Sequence, residues 1–295
     1  MNQYVIKELG KIRHTYDEWM KKREMEYPFP EDVECIKDLS PNSDAADWQK
    51  IDVYRPKQYE GKLPVIVSIH GGGMLLCTRK ANRAFCAELA KRGFLVFCPD
   101  YPLVPESDIP GILRESALRL EEIRQMLPRF DGDAEHVYMV GDSAGAFIGL
   151  YELAAQKNSD LAGALNLTPC SMAFQSAVFV SGMYYTGRLD IIGVFLRKDF
   201  HGKDWKRNPF RPFADPGIME VAGVLPPMFV ATSKRDQLRW YTMDFRKSLL
   251  KLGIDHRFAD LPSHPELTHD FVVMKPELPE ISAFIDEMCQ FLRQY

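Results

Sequence analysis

A chain of 295 residues can bury one large core and carry a small accessory layer without metal or disulfide support. Its hydrophobic fraction of 46% and charged fraction of 26% are those of an ordinary soluble globular protein. A net charge of −4 and a pI near 6.0 exclude a global positive field that would draw nucleic acid or anionic lipid.

Residues 1–26 alternate charged and apolar positions at helical spacing, with Ile12, Tyr16, Trp19 and Met20 on one stripe. Pro28 and Pro30 close that helix, and the polar run Ser40-Pro41-Asn42-Ser43-Asp44 reads as a linker. From about residue 49 strands and helices alternate. Strands are expected at 51–54, 65–69, 94–98, 137–140, 176–181, 228–232 and 256–260. Helices are expected at about 79–92, 111–127, 144–156, 240–252 and 278–293, two of them stopped by Gly93 and Gly253. Short β-rich runs between longer helices imply a mainly parallel sheet covered on both faces. Residues 183–224 interrupt the rhythm with aromatics, prolines and charges, and such an interruption is usually functional. The expected organisation is therefore a cap region at 1–48, a catalytic body at 49–182 and 225–295, and a cap insertion at 183–224.

No apolar run approaches the ~20 residues of a membrane-spanning helix. The first residues, Met1 to Glu8, also lack the basic-then-apolar order of a secretory signal. The basic clusters around Lys11 and Lys21 are closely followed by acids, as on solvated helix faces. Neither nucleic acid nor membrane is expected as a partner, and a cytoplasmic setting is. Cys35, Cys77, Cys86, Cys98, Cys170 and Cys289 are scattered without a Cys-x-x-Cys pair, which suits reduced packing thiols. Cys77 lies near a candidate active-site loop, but a catalytic role for it is disfavoured.

Gly141-Asp142-Ser143-Ala144-Gly145 follows a β-type run and precedes a helical one. Small flanking residues permit a tight, strained turn that lifts a serine hydroxyl above the sheet at a helix N-terminus. Alone, the pentapeptide fits a plain glycine-rich turn equally well. A second element, His70-Gly71-Gly72-Gly73, directly follows the strand at 65–69. Successive glycines there can expose backbone N–H groups to a developing oxyanion. A phosphate loop would want Lys-Ser or Lys-Thr next, and Met74-Leu75 stand there instead.

A serine nucleophile needs a histidine to take its proton and a carboxylate to orient that histidine. His269 lies between the last strand and the last helix; His264, between Pro262 and Pro265, is the weaker alternative. Asp236 follows the strand at 228–232 and suits the acid, with Asp244 and Asp260 as lesser rivals. The order Ser143, Asp236, His269 is that of α/β-hydrolases, not of chymotrypsin or subtilisin.

Four blocks together resemble the hormone-sensitive-lipase-like family of α/β-hydrolases, also called bacterial family IV carboxylesterases. They are His70–Gly73, Asp100-Tyr101-Pro102-Leu103-Val104-Pro105-Glu106, Gly141–Gly145, and Asp236-Gln237-Leu238 with His269-Asp270-Phe271. The resemblance implies an eight-stranded, mainly parallel sheet with helices on both faces and a small helical cap. It implies Ser143 as nucleophile, His269 as base, Asp236 as orienting acid, and oxyanion donors from Gly72, Gly73 and Ala144. Three positions depart from the family pattern: Pro102 for the usual arginine, Asp270 for a glycine, and Ala146 for a further glycine.

The expected reaction is hydrolysis of a short-chain carboxylic ester through an acyl-enzyme, with no cofactor and no metal. Amide, formamide and sugar-acetyl substrates stay open on the same fold, and a non-catalytic ligand-binding protein is the remote alternative. Met74, Asp142 and Tyr184 are the candidate substrate contacts. Trp19, Met20, Met183, Tyr185 and Phe195 could also wall an acyl pocket, although such side chains more often pack a core. A small-molecule ester is the expected partner, and a homodimer stays open.

Overall fold

The computed structural model describes residues 1, 3–41 and 43–295, without the side chains of Glu24, Ile191 and Phe195. The expected linker at 40–44 therefore falls partly outside the described residues, at Asn42. In chain order the elements are α1 (Gln3–Glu26), β1 (Val33–Leu39), β2 (Ile51–Pro56), β3 (Leu63–Ile69), α2 (Arg83–Lys91), β4 (Leu95–Pro99) and α3 (Ile109–Met126). There follow β5 (Gly132–Asp142), α4 (Ala144–Ala155), α5 (Ser159–Leu165), β6 (Ser176–Val180), α6 (Ile191–His201) and α7 (Met219–Ala222). The chain ends with β7 (Met228–Ser233), α8 (Arg239–Leu252), β8 (Arg257–Leu261), α9 (Phe271–Met274) and α10 (Pro279–Leu292).

The eight strands form one sheet in the order β1-β2-β4-β3-β5-β6-β7-β8. The β1–β2 and β2–β4 pairs are antiparallel, and every later pair is parallel. This is the mainly parallel α/β-hydrolase sheet that the motifs implied. Near-continuous apolar runs such as Val65 to Ile69 are buried because helices cover both faces. One face packs Val65, Val67, Met139 and Phe179 beneath α3 and α4. The other packs Ile66, Val96, Val140 and Phe229 beneath α2 and α10.

Most expected boundaries differ from the observed ones by a residue or two, but four features differ more. Residues 33–39, expected in the cap region, are the antiparallel edge strand β1. Helix α5 was not anticipated; Asn158 caps it by accepting the amides of Asp160 and Leu161 at 3.0 Å. The segment expected as one helix at 79–92 begins with a 3₁₀ turn at Arg79–Asn82. Strand β5 begins at Gly132 rather than at 137, whereas the insertion at 183–224 contains α6 and α7 and, among the described residues, no strand, as its sequence led us to expect.

On α1 the inward face also differs from the expected stripe. Ile12 and Trp19 are exposed, whereas Leu9, Arg13, Tyr16 and Met20 turn toward the body. These four are spaced by four, three and four residues, which is one helix face. Arg13 anchors that face. It donates to the carbonyls of Leu75 at 2.8 Å and Val104 at 2.7 Å, and to the Glu106 carboxylate at 2.8 and 3.0 Å. The support for Glu106 that Pro102 cannot give thus comes from another element.

A buried ionic cluster joins the antiparallel edge to the loops beside the site. Arg79 donates to Asp52 at 2.9 Å and also pairs with Asp100 and Asp38. Asp52, Arg79 and Asp100 are all nearly solvent-free, so removing the cation leaves two uncompensated carboxylates. Arg79→Ala is expected to cost about 3–5 kcal/mol of stability, read as a fall in the urea midpoint. An unchanged midpoint would show that the cluster contributes nothing.

Candidate active site

The register of the sheet sets the site. Ile69 at the end of β3 pairs with Gly141 in β5, and Gly141 pairs with Phe179 in β6. Three strands therefore deliver their following loops to one edge, the carboxyl end of the parallel sheet. There β5 turns abruptly into α4 at Ser143, whose φ of 49° and ψ of −112° lie in a strained region for a side-chain-bearing residue. A Cβ on Gly145 would stand 1.9 Å from the Ile69 carbonyl oxygen, so only glycine lets the turn pack against β3. The Ser143 amide donates to Val180 at 3.0 Å and its carbonyl accepts from Met183 at 2.9 Å, fastening the turn to the end of β6.

His269 lies between β8 and α9, and Asp236 lies between β7 and α8. His269 Nδ1 contacts Asp236 Oδ1 at 2.7 Å, and its Nε2 contacts Ser143 Oγ at 2.9 Å. A carboxylate can only accept, so Nδ1 carries the proton and Ser143 donates to Nε2. The remaining lone pairs of Asp236 are also used: Thr232 Oγ1 donates to Oδ2 at 2.8 Å and the Leu238 amide to Oδ1 at 2.8 Å. The rival residues are engaged elsewhere. His264 Nδ1 accepts the Glu266 amide at 3.3 Å within its own loop. Asp260 pairs with Arg239 at 2.6 Å, and Asp244 with Arg188 at 2.8 Å.

The glycine loop after β3 runs beside the serine: a Cβ on Gly71 would be 3.1 Å from that of Ser143. Asp142 holds the loop there, accepting the Gly71 amide at 2.9 Å while Asn82 Nδ2 donates to its other oxygen at 2.7 Å. Tyr101 holds it from the far side. Its hydroxyl donates to the carbonyls of His70 at 2.8 Å and Gly71 at 3.1 Å, and its ring stacks on His70 with centroids 4.2 Å apart. Among the described residues, no backbone acceptor takes the amides of Gly72 or Gly73. Ala144 is the first residue of α4, where N–H groups have no intrahelical partner.

The other sequence-selected side chains lie in varied surroundings. Met74 is fully buried in the core, and Asp142 serves the loop as described. Tyr184 is fully buried against Phe245, with centroids 4.5 Å apart, and its hydroxyl has no hydrogen-bond partner among the described residues. Met183 and Tyr185 are likewise core, Trp19 is exposed, and the Phe195 side chain lies outside the described ones. A cavity of about 880 Å³ opens between α1 and the loops before α2 and after β4, with Tyr16, Met20 and Cys77 on its wall. The Tyr16 hydroxyl hydrogen-bonds the Cys77 thiol, and burial pushes that thiol up to about 12, so it stays protonated.

Three contributors were not singled out from the sequence as site residues: Asn82, Arg13 and Asp270. The last bears most directly on the serine and histidine. Asp270 sits in the left-handed region at φ 54°, which explains why a glycine suits this position. Its Oδ2 is 3.3 Å from His269 Nε2, the nitrogen that also meets Ser143. Burial alone would push the imidazole pKa down, but Asp270 and Asp236 outweigh it and bring it up to about 9. Burial pushes Asp270 up as well, while the imidazolium pulls it down. The two groups therefore titrate as a coupled pair, and Nε2 accepts from Ser143 only once that pair has lost its proton.

Residues 66–273 match the family described as alpha/beta hydrolase fold, and the chain belongs to that family. It is 28% identical over 231 residues to the carboxylesterase NlhH of Mycobacterium tuberculosis, covering 75% of this chain and 70% of that one. It is 25% identical over 193 residues to a probable isoprenylcysteine alpha-carbonyl methylesterase of Oryza sativa subsp. japonica. That match spans 61% of this chain and less than half, 45%, of the rice protein. Esterase B of Lactobacillus rhamnosis shares the fold with a TM-score of 0.90 and 21% identity, over 99% of this chain and 95% of that one. A further structure of the same esterase concerns a tributyrin phosphonate inhibitor. Among the described residues, no helix is long and apolar enough to cross a membrane, and no side-chain cluster suits a metal ion.

The His269 imidazole is expected to titrate at about 9 in a histidine NMR titration, and Asp270→Asn should bring that value down. Because the folded value exceeds the unfolded 6.5, the stability this group contributes is complete below about pH 6.5 and lost as pH rises through about 9. An unchanged titration in the variant would show that Asp270 does not act on the imidazole.

Proposed function

We propose that the protein is a serine carboxylesterase that hydrolyses short-chain carboxylic esters through an acyl-enzyme. The comparisons support an ester hydrolase. The observation that carries the mechanism is the unbroken hydrogen-bonded series from Ser143 through His269 to Asp236, at 2.9 and 2.7 Å. In this reading His269 Nε2 takes the Ser143 proton as Oγ attacks the ester carbonyl. The amides of Gly72, Gly73 and Ala144 receive the oxyanion, in a site whose loop is already braced by Asp142, Asn82 and Tyr101. His269 then protonates the leaving alcohol and later activates the water that releases the acid. Asp236, ionised and triply hydrogen-bonded, fixes the ring and stabilises the imidazolium.

The short-chain preference rests on packing. Met183, Tyr184 and Tyr185, which would wall a long acyl channel from the insertion, are instead sealed into the core. The six free cysteines fit a reducing cytoplasmic setting. Ser143→Ala is expected to lower kcat for p-nitrophenyl butyrate by about 10⁴-fold or more while leaving the unfolding midpoint within the wild-type range. A fluorophosphonate should label the wild type at Ser143 and not the variant. Full turnover by the variant would sink the mechanism, and a maximum at long acyl chains would overturn the substrate class.

A further inference from the structure

One concentration of charge serves neither the sheet nor the catalytic residues. In the insertion after β6, a cavity of about 660 Å³ is lined by Arg188, Arg197, Lys203, Lys206 and Arg211. The chain holds more acids than bases, 41 against 37, so five cations around one cavity run against its overall charge. Two carboxylates share the wall, and both are engaged elsewhere. Asp204 lies 3.7 Å from Arg207, which is not part of the lining, and Asp215 accepts the Gly217 amide at 2.9 Å. Of the five cations, Arg188 pairs with Asp244 at 2.8 Å; the other four form no ion pair among the described residues. The apolar part of the wall is fixed in place. Trp205 packs on His201 with ring centroids 4.2 Å apart, and a Cβ on Gly187 would stand 2.8 Å from the indole. Tyr185 is buried beneath the Arg188 guanidinium.

We propose that this cavity is a binding site, separate from the catalytic centre, for a small molecule that carries a phosphate or pyrophosphate group. None of Ser143, Asp236, His269 or the glycine loop lines it. Its width is comparable with the ~10 Å over which charges are screened at 0.1 M salt, so the cations act on an occupant together. Like charges gathered without counter-ions repel one another, and an anion of matching charge removes that cost. Five cations against two carboxylates leave an excess of three positive charges, more than a single carboxylate can answer. Arginine forks match pairs of phosphate oxygens, and lysines add point charges beside them. The volume lies within the roughly 300–1,000 Å³ of small-molecule pockets. An extended polyanion would need a basic surface of its own length, which a chain of net charge −4 does not suggest. Binding here is ionic and hydrogen-bonded, and no covalent bond changes.

The test is titration calorimetry of the whole chain at low ionic strength, with inorganic pyrophosphate and ADP as probes. The wild type is expected to bind one of either per chain, more weakly as salt is added. Lys203 and Arg211 are exposed, so the Lys203→Glu, Arg211→Glu double variant should keep its unfolding midpoint. It should bind pyrophosphate about tenfold or more weakly, the worth of one lost charge-assisted hydrogen bond. Lys206→Glu alone should weaken binding about threefold. The Lys157→Glu, Lys251→Glu double variant changes net charge equally at exposed positions outside the cavity and should bind as the wild type does. A fluorophosphonate on Ser143 should leave the affinity unchanged. Absence of binding by the wild type at millimolar probe would overturn the proposal. So would equal weakening in the two double variants, which would mean diffuse charge, or loss of binding on labelling Ser143, which would put the anion in the catalytic centre. Tighter binding of a single-stranded oligonucleotide through the same residues would overturn the ligand class. Turnover is not read, so a failure of the esterase reading would leave this result standing.

Discussion

The site depends on one close approach between two backbones. Where β5 meets α4, Gly145 lies so near the Ile69 carbonyl that a methyl group would overlap it, at 1.9 Å. That contact brings the end of β3 against the start of α4, and both the serine and the glycine loop follow from it. Ser143 is left in a sharp turn with φ 49°, its hydroxyl above the sheet edge rather than within the strand. The same contact sends the chain after Ile69 past Ser143, so Gly71 arrives beside the nucleophile without any element having to reach for it. The strain at Ser143 is offset by the two backbone hydrogen bonds that pin the turn to Val180 and Met183.

Around this contact the protein places braces from well-separated parts of the chain. Asp100 and Tyr101 follow β4, yet one takes part of the Arg79 cluster and the other props the His70 loop. Arg13 reaches from α1 to the Leu75 and Val104 carbonyls, tying that helix to the segment just beyond the glycines. It binds Glu106 at the same time, filling the place left by Pro102 in the motif. The departure from the family pattern is therefore compensated rather than empty. Because the compensating cation is on α1, support for Glu106 and placement of that helix are no longer independent.

The central parallel strands were legible because burial on both faces demands continuous apolar runs, as in Val65 to Ile69 and Val137 to Val140. The edge strand β1 was not legible: it is half-exposed, and Glu34, Lys37 and Asp38 break any apolar alternation. Ser143, Asp236 and His269 could be read from order and position, since each follows a strand that the pattern had already located. The inward face of α1 could not. Its centre is the polar Arg13, whose burial is permitted only by carbonyls and a carboxylate from distant segments. Asn82 and Asp270 escaped for a related reason, since their partners are set by tertiary placement and, for Asp270, by a left-handed backbone.

Three aspartates surround the imidazole, and their surroundings separate their roles. Asp236 accepts from a hydroxyl, an amide and the imidazole, and these bonds outweigh its burial and hold its pKa below the usual carboxylate range. Asp142 is wholly enclosed, which pushes it up, but two N–H donors favour its charged form and commit both oxygens to the glycine loop. Asp270 has neither kind of support: one oxygen lies 3.3 Å from the imidazole, the other has no hydrogen-bond partner among the described residues, and burial pushes its pKa up. One residue type thus serves as ring orienter, as loop brace and as a charge beside the imidazole that raises its pKa, according to how many donors each position supplies.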